Sequence, residues 1–130
     1  MILLDTHVLI WWANGELERL SEQAVEAIEA EEQQRLVSAI SCWEVAMLVE
    51  RGRLALSVDC ERWLNLVASI PRLQLLPLSP AVAVASTRLP GTFHPDPADR
   101  FLVAQARDLN VPLVTADSTI RAYPHVRSLW

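Results

Sequence analysis

Apolar positions along this chain fall into two regimes that alternate. Short, nearly unbroken apolar runs occupy Met1–Leu4, Leu36–Ile40, Leu73–Leu78 and Pro112–Thr115. Their length and lack of periodicity predict buried strands, and Val126–Trp130 is a candidate fifth. Between them the pattern switches to helical spacing. Thr6–Ala13 is stopped by Asn14-Gly15, Ser21 to about Gln34 is amphipathic, and Ser41 to about Arg51 ends at Gly52. A further helix from Asp59 or Cys60 to Ile70 is closed by Pro71, and Ser79-Pro80 opens a small Ala/Val-rich one. Asp96-Pro97 opens the longest, which runs to Asn110. Leu89–Pro97, with Gly91 and three prolines, is the one evident loop. Strands alternating with helices predict an α/β sandwich, with a parallel sheet of four to five strands, right-handed crossovers and helices on both faces. At 130 residues, one domain spanning 1–130 is expected.

Composition narrows the chemistry. All eleven basic residues are arginine, and there are only three glycines, Gly15, Gly52 and Gly91. A chain without lysine has no Schiff-base lysine and no P-loop, and three scattered glycines cannot build a Gly-x-Gly-x-x-Gly dinucleotide turn. The net charge of −5 argues against coating nucleic acid by bulk electrostatics, though not against a local grip on RNA at a metal-dependent site. Cys42 and Cys60 read as reduced, packed thiols. The longest purely apolar run, Val8–Ala13, is too short to span a bilayer, and Asp5 interrupts any leader-like stretch. A cytoplasmic protein without a membrane segment is the expectation.

The acids divide into two populations. Glu22, Glu26 and Glu29 line one stripe of the Ser21 helix, opposite Ala24, Val25 and Ile28, and read as a solvated face. Four others sit where parallel sheets bind ligands, at strand C-termini and helix N-termini. Asp5 ends the first strand, Glu44 lies in the first turn after the second, Asp99 in the first turn of the long helix, and Asp117 just beyond the fourth strand. Each has a structural alternative. Ser41-Cys-Trp-Glu44 is a capping-box pattern, Asp99 lies three residues beyond the N-cap candidate Asp96, and Asp5 and Asp117 could each cap the next segment of chain. Yet Glu44 shares a helical stripe with Met47 and Leu48, and Asp99 shares one with Leu102, Val103 and Ala106, so both point along packed faces.

Two carboxylates about 4 Å apart repel by roughly 4 kcal/mol at an effective dielectric near 20. With no lysine available, a divalent cation is the natural compensation. Oxygen donors without a Cys/His cluster suit Mg²⁺ or Mn²⁺. Such a centre activates water and clamps phosphate oxygens, which points to phosphodiester hydrolysis.

Leu3-Leu-Asp5-Thr-His-Val-Leu-Ile-Trp-Trp12, Val37-Ser-Ala-Ile-Ser-Cys-Trp-Glu44-Val-Ala46, His94-Pro-Asp-Pro-Ala-Asp99-Arg-Phe-Leu-Val-Ala-Gln-Ala106 and Leu113-Val-Thr-Ala-Asp117 together resemble the PIN-domain ribonucleases, most closely the VapC-type toxins of bacterial toxin–antitoxin pairs. The resemblance covers nearly the whole chain in order. It implies a PIN-like three-layer sandwich and a metal-dependent endoribonuclease whose acidic quartet maps onto Asp5, Glu44, Asp99 and Asp117. It further implies a homodimer neutralised by a cognate antitoxin that occludes the active site. Thr6 and Thr115 match positions where the family places hydroxyls near the metal centre; ordinary capping or turn hydrogen bonds would also explain them.

The remaining polar residues near these motifs read more simply. His94 is expected to be structural, since metal-bound water needs no histidine base, and His7 to pack locally. Asp96 reads as the N-cap before Pro97 or, secondarily, as a supporting ligand. Arg100 is expected to pair with an acid or touch a phosphate. Trp11, Trp12, Trp43, Trp63 and Trp130 read as core or dimer packing before base stacking, and Glu50-Arg51-Gly-Arg53 as a solvated helix end. Two other functions compete: a non-catalytic PIN-fold binding module, and a metal-dependent phosphomonoesterase. Against the latter, the position two residues after Asp5 is His7 where a second acid is needed.

Overall fold

The computed structural model describes residues 1–130. The strands are β1 (Ile2–Leu4), β2 (Arg35–Ser38), β3 (Leu73–Leu76), β4 (Leu113–Val114) and β5 (Ser128–Leu129). The helices are α1 (Thr6–Ala13), α2 (Glu22–Glu29), α3 (Ala39–Glu50), α4 (Cys60–Ala68), α5 (Pro80–Ser86), α6 (Pro97–Leu109) and α7 (Ser118–Ala122). The strands form one sheet in the order β3-β2-β1-β4-β5, with every pairing parallel. The expected α/β sandwich is therefore present, with the fifth strand included.

Side-chain alternation along the strands explains the layers. Ile2 and Leu4 face one cluster with Val8 and Leu9 of α1, Ile28 of α2, Val45 of α3, and Trp63 and Val67 of α4. Leu3, between them, faces the opposite cluster with Leu36, Leu113, Leu102 and Val103 of α6, and Ile120 of α7. A period of two on a sheet buried on both faces leaves no polar position, which is why β1 is apolar throughout. Strands β2 and β3 leave β1 on one side, and β4 and β5 on the other. The order of strand addition thus reverses beside β1, making the C-terminal ends of β1 and β4 the switch point where open α/β sheets form their crevice.

Several boundaries differ from those the sequence pattern predicts. Helix α2 ends at Glu29 rather than near Gln34, with the carbonyls beyond it bonded in a turn that includes Gln33 N to Ala30 O at 3.0 Å. Strand β2 stops at Ser38, whose hydroxyl caps α3 by accepting from Ile40 N at 3.2 Å. Ser41 is consequently inside the helix and fully buried, not its cap. A 3₁₀ turn at Leu17–Arg19 and the short helix α7 are additional. No helix is long and apolar enough to cross a membrane.

Truncating Leu102→Ala at the junction of α6 and β1 is expected to cost about 2–5 kcal/mol, because a fully buried leucine leaves a cavity that the rigid sheet cannot close. Chemical denaturation, read as a fall in midpoint at constant m-value, measures it.

Candidate active site

The edge defined by the ends of β1, β2 and β4 gathers the predicted acids. Asp5 lies directly after β1 and is buried. Its Oδ1 accepts the Thr6 N–H at 2.7 Å, and its Oδ2 accepts the Thr115 hydroxyl at 2.6 Å. Thr115 directly follows β4 and is itself fully buried; its Oγ1 also accepts the Asp117 N–H at 3.0 Å. One hydroxyl thereby ties the β1 end to the β4 end.

Glu44 is not a capping residue, because the cap of α3 lies at Ser38. Its Oε1 lies 2.6 Å from the Thr6 hydroxyl, which lies 2.9 Å from Ser41 Oγ. A hydroxyl carries one proton, so with Glu44 ionised Thr6 donates to the carboxylate and accepts from Ser41. Asp117 does cap: its Oδ1 accepts from Thr119 N at 2.8 Å and Ile120 N at 3.2 Å, which leaves Oδ2 without a partner. Asp96 caps α6 as expected, accepting from Asp99 N at 3.1 Å. Asp99, one turn in, has no side-chain donor.

Electrostatics shows that these groups share one space. Burial, the largest influence, and then the charges of Asp5, Asp96, Asp117 and Glu44 together push the Asp99 carboxyl up to about 7. Glu44 is likewise raised, first by burial and then by Asp5 and Asp96, against the Thr6 hydrogen bond. Asp5 is raised by burial despite the bonds from Thr115 and Thr6 that favour its charge, with a smaller push from Asp117. Yet no three of these side chains converge at coordination distance on a common point. The edge is an acid-crowded space rather than a preformed cage. A concavity of about 750 Å³ between α5 and α6 contains none of these acids. A smaller one of about 220 Å³ is lined by Asp5, His7, Val8, Trp11, Ala116 and Asp117.

Arg100 does not pair with an acid, one of the two roles expected of it; its partners are backbone carbonyls. Its Nε donates to Ser86 O at 2.9 Å, and one terminal nitrogen to Phe93 O at 3.1 Å and His94 O at 3.4 Å. It clamps the proline-rich loop. That loop holds His94 Nε2 at 3.1 Å from Asp99 Oδ2, but out of line for a hydrogen bond. Among the tryptophans, Trp63 is core, whereas Trp43 is 55% exposed and belongs to no core. Sequence reading missed Ser41 as a member of the Thr6–Glu44 network. Two serines three residues apart after a buried strand are equally good caps by local pattern, and only the strand's end decides between them.

The family model of the PIN domain matches residues 2–126. Ribonuclease VapC22 of Mycobacterium tuberculosis (strain ATCC 25618 / H37Rv) is 38% identical over 126 residues, covering 97% of this chain and 94% of that protein. Among solved structures, VapBC2 from Rickettsia felis, crystallised with a DNA fragment from its promoter, superposes with a TM-score of 0.70 at 18% identity, covering 98% of this chain and 97% of that one. A toxin–antitoxin complex from Klebsiella pneumoniae gives 0.66 at 21% identity, covering 97% and 95%.

The raised carboxyls set a pH dependence. A carboxyl with a folded-state pKa above its unfolded one stabilises fully below the unfolded value, and that stability is lost as pH rises through the folded value. For Asp99 the window runs from the ordinary aspartate range up to about 7. Metal-free Asp99→Asn is therefore expected to match the wild type near pH 4 and exceed it at pH 8. The gain is on the order of 2 kcal/mol, several degrees in Tm, because 19% of the side chain remains open to water. Thermal melts in EDTA across that range check it, and adding Mn²⁺ at pH 8 should narrow the gap.

Proposed function

The chain belongs to the PIN-domain family, and from that premise we propose that it is a Mg²⁺- or Mn²⁺-dependent endoribonuclease acting as the toxin of a toxin–antitoxin pair. The observation that carries this reading is the shared space of Asp5, Glu44, Asp99 and Asp117, in which burial and mutual repulsion raise three of the four carboxyls. The 38%-identical relative named a ribonuclease supports RNA as the substrate class. The toxin–antitoxin complex among the solved relatives supports a cognate antitoxin as partner, and a homodimer is part of the same reading.

The donor chemistry fits a hard divalent cation: every candidate ligand is a carboxylate oxygen, with no cysteine among them. Mg²⁺ needs only one or two direct carboxylates and keeps several waters, so a crowded but open set of acids suits it. When bound, the cation would supply an activated water and a clamp for phosphate oxygens. Asp5, Glu44, Asp99 and Asp117 would hold it. Thr115 aims Asp5 from the next strand, Thr6 aims Glu44 from the first turn of α1, and the first turn of α7 aims Asp117. Asp99, whose carboxyl accepts no hydrogen bond, would hold the cation in its deprotonated form.

Cleavage of single-stranded RNA should require Mg²⁺ or Mn²⁺ and be abolished by EDTA, and Asp5→Asn or Asp99→Asn should lower kcat by about 100-fold or more. Activity that survives either substitution overturns the reading, and absence of divalent-ion binding in calorimetry favours a non-catalytic PIN-fold module. Thr115→Val should weaken the activating metal by about 10–100-fold, with kcat at saturating metal changed far less, because it removes only the hydroxyl that orients Asp5. Activity titrated against Mn²⁺ separates the two effects.

A further inference from the structure

The acid edge repels phosphate, so an RNA strand needs a hold outside it. Five of the eleven arginines are already committed to holding backbone carbonyls. Arg35, Arg72, Arg100, Arg107 and Arg127 each donate to backbone carbonyls, of Ile28 and Pro71, Glu31, the proline-rich loop, His125 and Asn110 respectively. Arg19 approaches Glu16 at 3.7 Å and lies over the Trp11 ring at 5.9 Å. Arg51, Arg53, Arg62, Arg88 and Arg121 are exposed with no side-chain partner, and of these Arg121 is the one that lies one turn along α7 from Asp117.

A continuous path leads from the acids to it. Trp11 walls the 220 Å³ cavity that Asp5 and Asp117 also line. Its ring meets that of Trp130 at 6.4 Å between centroids, tilted 55°, while His7 flanks it at 5.9 Å. Trp130 in turn lines a second cavity, of about 450 Å³, with Ser118 and Arg121. Acid, indole, indole and guanidinium thus succeed one another along the surface beside α7. Trp11 is half-buried, its body anchored against the core, and the Arg19 guanidinium over its ring is carried by an exposed side chain that a stacking base would displace.

We propose that single-stranded RNA leaves the cleavage edge along this track, with the base beside the scissile phosphate stacked on Trp11 and a neighbouring phosphate held by Arg121. The proposal rests on the endoribonuclease reading and adds the strand's path and two positioning residues. Alternating aromatic and cationic groups are what sequence-tolerant single-strand binding uses, since every base offers a face and every nucleotide a phosphate.

The test uses a fluorescein-labelled RNA octamer and protein in the Asp99→Asn background with Mg²⁺, so that binding is read without cleavage. Arg121→Gln, an exposed change, should weaken binding about three- to tenfold and flatten the slope of log affinity against log salt by about 0.7, one single-strand phosphate contact. Trp11→Ala should weaken binding about tenfold, and Trp11→Phe should restore much of it. An abasic nucleotide moved along the octamer should lower affinity most at one position, and that dependence should vanish in Trp11→Ala. In the otherwise wild-type enzyme the same changes should raise KM more than they lower kcat. Unchanged affinity and salt slope in Arg121→Gln, or an abasic profile identical with and without Trp11, overturns the track. Because wild-type cleavage is measured separately, that result leaves the ribonuclease reading standing, whereas absence of cleavage with either metal overturns the reading itself.

Discussion

Crowding of carboxyl groups at the C-terminal edge of a fully covered parallel sheet is the constraint on which the rest of this molecule depends. The three residues of β1 are buried on both faces, and Asp5 comes directly after them with no intervening loop. Its carboxyl therefore enters a low-dielectric setting before water can screen it. Asp117 and Glu44 are brought to the same edge by the strands on either side, and Asp99 by the helix packed across one face. Hydroxyls of Thr6 and Thr115 hold two of these acids, but a hydroxyl supplies no charge. On the proposed reading, a cation from solution offsets the repulsion.

The use of arginine has the same origin. A guanidinium presents several donors in a fixed fork, so one side chain can hold several carbonyls at once. Arg100 does this for Ser86, Phe93 and His94, and so fixes the loop that sets His94 against Asp99. Arg35 bridges Ile28 and Pro71 while stacking over Trp12 at 4.9 Å. Five of the eleven arginines are thereby committed to backbone carbonyls. No ammonium exists to settle among the carboxylates and occupy the place of a metal. The net charge of −5 consequently overstates how negative the edge is once a cation is bound.

Local patterns made the architecture legible where burial is uniform. Apolar runs marked all five strands, and Pro97, Gly52 and Asn110 marked helix ends, the last in a left-handed conformation with φ of 54°. Legibility failed where two local signals had equal strength. Ser38 and Ser41 both precede helical spacing, and only the register of β2 against β3, which pairs Ser38 with Leu76, ends the strand at Ser38. Helix α7 was hidden because five residues carry too little periodicity to read. The run Glu31-Glu32-Gln33-Gln34 favours helix by propensity, yet the chain must turn there to enter β2, and that geometry outweighs propensity.

Sequence alone determined the fold class and pointed to candidate acids on one edge, because burial on both faces forces apolar strands and parallel topology puts their ends on one edge. It could not decide which acids merely cap. Capping needs only a helix end, and every candidate had one. Tertiary structure decided that question through partners: Asp96 and Asp117 bond their own helices, Glu44 bonds Thr6 across 38 positions of sequence, and Asp99 bonds no donor at all. It also decided which arginines are free, since a guanidinium's partners here are carbonyls of distant loops, whose positions no local pattern encodes.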